Sequence, residues 1–391
     1  MKFLNIGSKY ILVGYLIRVL GENGYGILTW VDSIVQYFIM LINFGFDLYA
    51  AKYVVENRNS PKKLNEVISV IYYIKSILFL TSFLLIIPLS FNSQISSYYN
   101  MILLMLIMGI GEVLMPVWFF QGIEKMKIIT IVTFVTKLIL IILTFLYIKN
   151  SNDILLYISF LVVINIIWGV SGFFMMKKEA SFMFVNVEFE LIKNYLKEGY
   201  LFFIGKFSTF IFNLGTLFLI GYLFSKGLVA GFDIATKIIF VFIIPFEVLQ
   251  QALFPKSVRG INKDLFRKLI FITFLISILM SIFIYFNSEK ILFLFGGVEM
   301  IKYKYILNIC LFLIPIVSLT IIISNCNMIA KGYYKLFNWS LIVSAIIFII
   351  LLILLHFINQ LNFINVVLLR VIVDFIQLLI RVYYSIKYKI I

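Results

Sequence analysis

The chain of 391 residues is poor in the side chains from which most catalytic and metal sites are built. Its single histidine, His356, excludes a histidine triad and a His-rich metal site. Its two cysteines, Cys310 and Cys326, lie in apolar segments at a spacing that fits neither a zinc ligand pair nor a redox motif. We therefore expect no metal and no cofactor.

Charge is also scarce, and it is strongly unbalanced. Only 13% of the residues are charged and 63% are hydrophobic, which is too apolar for a soluble domain. Because roughly 20 apolar residues suffice to cross a bilayer as a helix, we predict an all-α polytopic membrane protein with about 12 transmembrane helices. The predicted spans cover residues 3–20, 27–50, 64–88, 100–121, 128–148, 154–176, 199–224, 229–254, 269–287, 305–328, 336–358 and 361–385.

The net charge of +15 follows from the predicted topology. With the N-terminus in the cytoplasm, most lysines and arginines, Arg381 among them, fall in cytoplasmic loops and tails, as the positive-inside rule requires. Both termini are then cytoplasmic, and the basic loops face anionic lipid headgroups. A nucleic-acid partner is not needed. No small-residue cleavage site follows the first apolar run, so we expect no cleaved signal peptide.

The two halves of the chain repeat weakly. Gly14, Tyr15 and Leu16 recur as Gly221, Tyr222 and Leu223. Six spans per half would give two copies of the same orientation, related by a pseudo-two-fold axis along the membrane normal, with a site between them. We predict an N-terminal six-helix lobe over residues 1–177, a cytoplasmic linker over 178–198 and a C-terminal six-helix lobe over 199–391.

Charged side chains inside spans are the candidate functional residues, because a charge in hydrocarbon costs several kcal/mol unless it faces protein, water or an ion. Lys75, Lys137 and Lys206 lie within spans, whereas Glu112 is the one acid at the centre of a span. Two interpretations stay open: these lysines line an anion-binding cavity, or they are structural. The three cations against one acid favour the cavity.

Two further charge pairs have helical spacing. Asp233 and Lys237 are four residues apart, and so are Arg370 and Asp374. Residues at this spacing face each other on a helix. Both pairs are open to two interpretations, a self-neutralised ion pair or a ligand-binding role, and burial of a charge normally demands a partner.

No enzyme signature competes with transport. Gly109 and Gly111 begin like a dinucleotide-binding loop, but Leu114 stands in the place of the third glycine and no strand precedes it. The sequence also lacks a phosphate-binding loop and a large extramembrane domain. We therefore expect a transporter that performs no covalent chemistry.

Three stretches carry a resemblance to a known family. They are Tyr15 to Gly21, which contains Arg18; Asn43 to Lys52, which contains Asp47; and Pro116 to Lys127, which contains Trp118, Gln121, Gly122 and Lys125. In these stretches the chain resembles the bacterial polysaccharide flippases of O-antigen, capsule and exopolysaccharide pathways, within the superfamily that also holds multidrug and lipid-linked oligosaccharide exporters. The segment before Tyr15 is shorter than in most members, which leaves two interpretations: a short first helix, or a start codon that is assigned too far downstream.

The resemblance implies a substrate and a location. The substrate would be an oligosaccharide repeat unit on undecaprenyl pyrophosphate, moved from the cytoplasmic to the outer leaflet of the bacterial cytoplasmic membrane by alternating access. Membrane lipids, the polysaccharide polymerase and the chain-length machinery would be partners. Lys75, Lys137, Lys206 and Arg370 are the candidate pyrophosphate ligands, and Glu112 and Asp374 are candidates for ion coupling.

Two alternatives remain. The first is a cation-coupled multidrug exporter, whose cavity would be rich in unpaired acids. The second is a membrane glycosyltransferase or polymerase that uses the same lipid carrier. Such an enzyme would show a sizeable outer loop or an acidic catalytic cluster, whereas the longest predicted outer loop runs only from Asn287 to Lys304.

Overall fold

The structure, a computed structural model, describes residues 2–260 and 262–388, with side chains described for 11–46, 49–260 and 262–388. Helices make up nearly all of these residues, and no strand occurs among them. The α-helices are α1 (Lys2–Asn43), α2 (Phe46–Asn57), α3 (Pro61–Ile86), α4 (Ser93–Ser96), α5 (Tyr99–Leu106), α6 (Gly109–Leu114), α7 (Val117–Gly122), α8 (Met126–Tyr147), α9 (Ile154–Ala180), α10 (Phe189–Leu223), α11 (Lys226–Gly260), α12 (Lys263–Gly296), α13 (Lys304–Cys310), α14 (Leu313–Ile323), α15 (Tyr334–Phe357) and α16 (Phe363–Lys387).

The described residues contain ten helices long and apolar enough to cross a membrane, or eleven when the bent pair Val298–Cys310 and Leu313–Ile329 is taken as one span. The remaining difference from the predicted twelve lies in α1. This element holds the first predicted span and most of the second, which continues into α2, and it is interrupted at Gly21, where φ is 69° and ψ is 172°. Positive φ is accessible to glycine at little cost, so Gly21 separates the two segments.

The chain forms two compact units, Met1–Phe207 and Ser208–Ile391. The first unit contains the helix-free stretch 181–188, and Phe182 of this stretch is buried against the core of that unit. The backbone N–H of Val185 donates to Ser69 Oγ of α3 at 3.1 Å. This part of the predicted linker is therefore packed on the first unit.

In the first unit, the predicted span over 100–121 is divided into α5, α6 and α7. Helix α6 packs directly on α9, and the two main chains approach each other closely. A Cβ on Gly111 would lie 2.2 Å from the backbone oxygen of Asn165, and one on Gly169 would lie 2.4 Å from that of Gly111. Only glycine permits this approach, and it fixes the position of Glu112 relative to α9.

In the second unit, the prolines have different effects. Pro245 and Pro255 lie inside α11 without ending it, whereas Pro315 stands in the first turn of α14, just after the 46° bend that separates α13 from α14. Helix α14 continues into a π-helix over Ser324–Ile329. Helix α16, which carries buried charges of this unit, packs against α13, α14 and α15.

Candidate functional site

In the first unit, the Lys75 ammonium is buried and bonded to main chain. Its side chain on α3 is 2% exposed, and Nζ donates to the backbone carbonyl oxygen of Glu112 on α6. One turn earlier on α3, the Tyr72 hydroxyl donates to the backbone oxygen of Leu114 at 2.9 Å. Both side chains thus meet α6 at its C-terminal end.

Pro116 explains why these carbonyl oxygens need donors. In a continuous helix, the N–H of residue 116 would donate to the carbonyl of Glu112, but proline has no N–H. Helix α6 ends at Leu114, and Met115 is extended with ψ at 112°. The last carbonyls of a helix have no intrahelical partner. Lys75 and Tyr72 supply the missing donors, which gives the buried ammonium of Lys75 a structural partner.

The Glu112 carboxylate has a different partner. Asn43, the last residue of α1, donates from Nδ2 to Glu112 Oε2 at 3.0 Å. On α9, Asn165 Oδ1 is buried and accepts no hydrogen bond from the described residues. Asn43, Tyr72, Lys75, Glu112 and Asn165 form the polar cluster of the first unit. Sequence analysis found Lys75 and Glu112 in this cluster but not the two asparagines or Tyr72.

A small pocket lies beside this cluster. It has a volume of about 270 Å³, and its walls come from α3, α6, α9 and the 181–188 stretch. The lining residues are Tyr72, Tyr73, Ser76, Val113, Leu114, Phe173 and Phe184. The Phe173 and Phe184 rings are stacked with their centroids 6.4 Å apart. Aromatic side chains therefore form most of the pocket wall, and the hydroxyl of one of them, Tyr72, already donates to the Leu114 carbonyl.

The other two candidate lysines are less deeply placed. Lys137 on α8 and Lys206 on α10 are each half-buried, and neither lines the 270 Å³ pocket. The structure therefore brings Lys75 and Glu112 together but does not place Lys137 and Lys206 in the polar cluster of the first unit.

In the second unit, α16 carries a row of buried polar side chains that we call the α16 stripe: Arg370, Asp374, Gln377 and Arg381. Their exposed fractions are 7%, 5%, 5% and 4% respectively. Arg370 Nε donates to Asp374 Oδ2 at 2.8 Å, so the ion pair suggested by the spacing is present. Arg381 Nε donates to Ser340 Oγ of α15 at 3.0 Å. The spacing of three or four residues places all four on one helix face.

The α16 stripe holds an excess of positive charge. It contains two guanidinium groups and one carboxylate, and the sequence from 301 to 361, which supplies α13, α14 and α15, contains no Asp or Glu. Arg370 Nη1 and Gln377 Nε2 are buried and have no hydrogen-bond acceptor among the described residues. The rings of Phe212 and Phe337 lie 5.0 and 4.7 Å from the guanidinium carbons of Arg370 and Arg381. Such contacts compensate a buried cation only in part.

Arg381 corrects the sequence analysis, which placed this residue among the cytoplasmic cations. It is buried on α16 because it stands eleven residues after Arg370, on the same face as Asp374 and Gln377. That periodicity was visible in the sequence and is the signal that identifies the residue. The pair formed by Lys237 and Asp233 is also present, with Nζ and Oδ2 2.5 Å apart.

The residues of the sequence motifs divide into a buried and an exposed set. Pro116, Trp118 and Gly122 are buried, whereas Arg18, Gln121 and Lys125 are exposed. A Cβ on Gly122 would lie 2.6 Å from Val54 on α2, so α7 and α2 are closely packed at this glycine. Lys125 pairs with Glu179 at the end of α9, and Arg18 Nη1 donates to the Gly14 carbonyl at 3.2 Å. The side chain of Asp47 lies outside the described residues.

Among the described residues, no three His, Cys, Asp or Glu side chains converge as a metal site would require. Two polar centres hold candidate residues beyond the Asp233–Lys237 pair, one within each unit. The polar cluster of the first unit combines one ammonium with one carboxylate. The α16 stripe of the second unit has a surplus of one positive charge.

Comparison with known families and structures gives consistent matches. Residues 1–260 match a family model described as polysaccharide biosynthesis protein. A putative O-antigen transporter of Escherichia coli K12 is 25% identical over 260 residues, which cover 64% of this chain and 61% of that protein. A putative O-antigen transporter of Shigella dysenteriae is 24% identical over 358 residues, covering 88% of this chain and 89% of that protein.

Solved structures agree on the fold. An inward-facing multidrug resistance transporter of the MATE family, in the MOP superfamily, aligns with a TM-score of 0.73 at 14% identity, covering 100% of this chain and 94% of the other. A MATE transporter in a bent conformation aligns with a TM-score of 0.55 at 13% identity, covering 99% and 93%. At this level of identity the likeness establishes the fold alone.

Proposed function

The chain belongs to the polysaccharide biosynthesis protein family, and we propose that it is a flippase for lipid-linked oligosaccharides. Its substrate is an oligosaccharide repeat unit on undecaprenyl pyrophosphate, which it moves from the cytoplasmic to the outer leaflet by alternating access. The product is used in the synthesis of O-antigen, capsule or exopolysaccharide. The protein is a membrane transporter, and the movement requires no covalent chemistry.

The observation that carries the proposal is buried positive charge in a relative of O-antigen transporters. The Lys75 ammonium is buried on α3, and the α16 stripe contains two guanidinium groups for one carboxylate. Taking an unpaired anion such as a pyrophosphate into hydrocarbon costs many kcal/mol. Fixed cations at membrane depth lower that cost, and guanidinium groups bind phosphate in a bidentate manner.

We assign the pyrophosphate-binding role to Lys75, Lys137, Lys206 and Arg370. Arg370 fits this role best, because its Nη1 donor has no acceptor among the described residues. Lys75 already donates to the Glu112 carbonyl, so it would act chiefly through its charge. Lys137 and Lys206 are half-buried and would meet the headgroup near the start or the end of its passage.

Glu112 and Asp374 are the proposed sites of ion coupling. Each carboxylate accepts a hydrogen bond that could be broken during transport. The donor is Asn43 for Glu112 and Arg370 for Asp374. If an incoming phosphate took Arg370 from Asp374, the buried carboxylate would lose its hydrogen-bonded partner and keep Arg381 as the remaining cation of the stripe. The loss of one of two counter-charges makes uptake of a proton by a buried carboxylate easier, which would link substrate binding to proton uptake.

A multidrug exporter is the alternative within transport, since the structural matches include MATE transporters. The chemistry of the second unit argues against it. A binding site for cationic drugs needs surplus carboxylates, whereas the α16 stripe has a surplus of guanidinium. A glycosyltransferase or polymerase acting on the same carrier is the alternative outside transport, and the family match does not favour it.

The proposal places the protein in the bacterial cytoplasmic membrane with both termini in the cytoplasm. The polysaccharide polymerase and the chain-length machinery, which use the translocated repeat unit, are its proposed partners. The deciding experiment is a clean deletion of the gene in its own strain, followed by measurement of lipid-linked repeat units in each leaflet. We expect them to accumulate in the inner leaflet and to be redistributed when the wild-type gene is restored. Normal delivery to the outer leaflet in the deletion strain would overturn the proposal.

A further inference from the structure

The second unit has a large apolar groove that the proposed function does not yet use. It lies between α12, the α13–α14 bend and α16 and has a volume of about 1040 Å³. Its walls include Ile278 and Ile282 of α12, Leu311 and Phe312 at the bend, and Val371 and Phe375 of α16. We call it the α12–α16 groove. Ligand sites for whole small molecules usually measure about 300–1,000 Å³, so this volume admits a long chain segment.

The lining is almost entirely hydrocarbon. Apart from Asn308 and the hydroxyls of Ser281 and Tyr285, every lining side chain is apolar. Ser281 directs its hydroxyl to the backbone oxygens of Ser277 and Leu311, at 3.0 and 3.3 Å. Helices α12 and α16 are both long and apolar enough to cross the membrane. A groove with hydrocarbon walls between two such helices suits lipid chains better than water.

The groove adjoins the α16 stripe on the same helix. Val371, Phe375 and Leu378 line the groove, and each directly follows a stripe residue, namely Arg370, Asp374 or Gln377. Because successive residues of a helix are turned by about 100°, the apolar and cationic faces of α16 are neighbours. A ligand that matches both has one long hydrocarbon chain and an anionic head.

We propose that the α12–α16 groove holds the polyprenyl chain of the lipid carrier while its phosphate-bearing head lies at the α16 stripe. This inference rests on the proposed function and adds the place where the chain is bound. Lipid tails are as apolar as the groove, so the hydrophobic effect does not favour one chain over another there. Selectivity must come from packing of the methyl-branched chain against ring faces such as those of Phe312 and Phe375, and from the charge of the head.

The test uses the purified full-length protein in nanodiscs of zwitterionic lipid. The probe is undecaprenyl phosphate with a photoreactive diazirine in its chain, and labelled peptides are identified by mass spectrometry. Adducts are expected on α12, α14 and α16. Adducts confined to other helices of the wild-type protein would overturn the proposal, and this outcome does not depend on any variant.

A matched pair of tryptophan substitutions sharpens the test. Ile278 lines the groove, whereas its neighbour Leu279 is 65% exposed and is not part of the lining. Ile278→Trp fills the groove and should reduce labelling by about fivefold or more, the range expected when a well-packed contact is overfilled. Leu279→Trp should label like the wild type. Equal labelling of the two variants would count against the groove.

Competitors separate the possible sources of the chain. Unlabelled undecaprenyl phosphate should displace the probe, whereas phosphatidylglycerol and inorganic pyrophosphate at equal concentration should not. Displacement by phosphatidylglycerol would show a general site for anionic lipids and would overturn the assignment to a polyprenyl chain. The deletion strain complemented with the wild-type gene keeps the two proposals apart. If complementation restores export while the adducts lie elsewhere, only the groove assignment fails.

Discussion

The Lys75 ammonium on α3 donates to the main-chain carbonyl oxygen of Glu112 on α6, an oxygen that Pro116 leaves without a helical donor. A lysine buried in a membrane helix thus has two consequences at once. It completes the hydrogen bonding of a broken helix, and it places a positive charge beside the one acid at the centre of a predicted span. Changes at Lys75 should therefore affect stability as well as transport.

The first prediction concerns Lys75 itself. Lys75→Ala removes both the donor and the charge, so it should lower transport and destabilise the protein by about 1–3 kcal/mol, the cost of a buried polar group left without a partner. Lys75→Arg should retain more transport activity and more stability than Lys75→Ala. Export is measured from lipid-linked repeat units in the outer leaflet, and insertion from the amount of protein in the membrane. Wild-type export by Lys75→Ala would show that this charge has no role in transport, and the family assignment would be unaffected.

The second prediction couples Lys75 to Pro116. Pro116→Ala restores an N–H that can donate to the Glu112 carbonyl, so the donor on α3 should no longer be required. Lys75→Ala should then cost clearly less stability in the Pro116→Ala background than in the wild type. Residues in contact typically show coupling of about 0.5–3 kcal/mol in such cycles. Strictly additive effects would show that the two residues do not act on the same carbonyl oxygen.

The third prediction concerns the α16 ion pair. Asp374→Asn leaves the Arg370 guanidinium buried without its carboxylate and should destabilise the protein by about 3–5 kcal/mol. The double variant Arg370→Gln with Asp374→Asn removes both charges and should recover part of that loss. Thermal unfolding can be followed with a thiol-reactive dye, because Cys310 and Cys326 are both free and buried. A double variant less stable than Asp374→Asn would mean that Arg370 is held mainly by other groups.

The fourth prediction separates the half-buried lysines from the exposed ones. Lys137→Ala should reduce transport without preventing insertion, and Lys137→Arg should retain more activity than Lys137→Ala, if the charge of Lys137 meets the phosphate head. Lys206→Ala should have a similar but smaller effect. Lys290 is exposed near the C-terminal end of α12. Its substitution by alanine is the control and should leave export unchanged. Equal export by the Lys137 and Lys290 variants would remove Lys137 from the proposed site.

Sequence analysis predicted the helical architecture well, because long apolar runs admit few other structures in a membrane. It also identified the spacing of Arg370 and Asp374, since a contact four residues away on one helix is local. The partner of Lys75 could not be predicted in the same way. A proline inside a predicted span, such as Pro116, removes a helical donor, but which helix supplies the replacement depends on how α3 and α6 pack.

Arg381 shows a different limit. It lies near the end of the predicted span 361–385 and was therefore counted with the cytoplasmic cations, whereas packing of α16 on α15 buries it and gives it Ser340 as an acceptor. The polar partners Asn43 and Asn165 carry no charge, so neither stands out in a search for costly groups within the spans. Contacts made by uncharged polar residues across a helical bundle depend on tertiary structure, which local sequence patterns do not contain.

Helices α6 and α9 touch through bare backbone at Gly111 and Gly169. Neither helix can turn about its own axis at that point without driving a side chain into the other. Helices α6 and α9 should consequently move together when this unit changes conformation. At Met115 the chain leaves helical geometry, so a change in the direction of α7 relative to this helix pair would have to be accommodated beside the Glu112 and Leu114 carbonyls that Lys75 and Tyr72 bind.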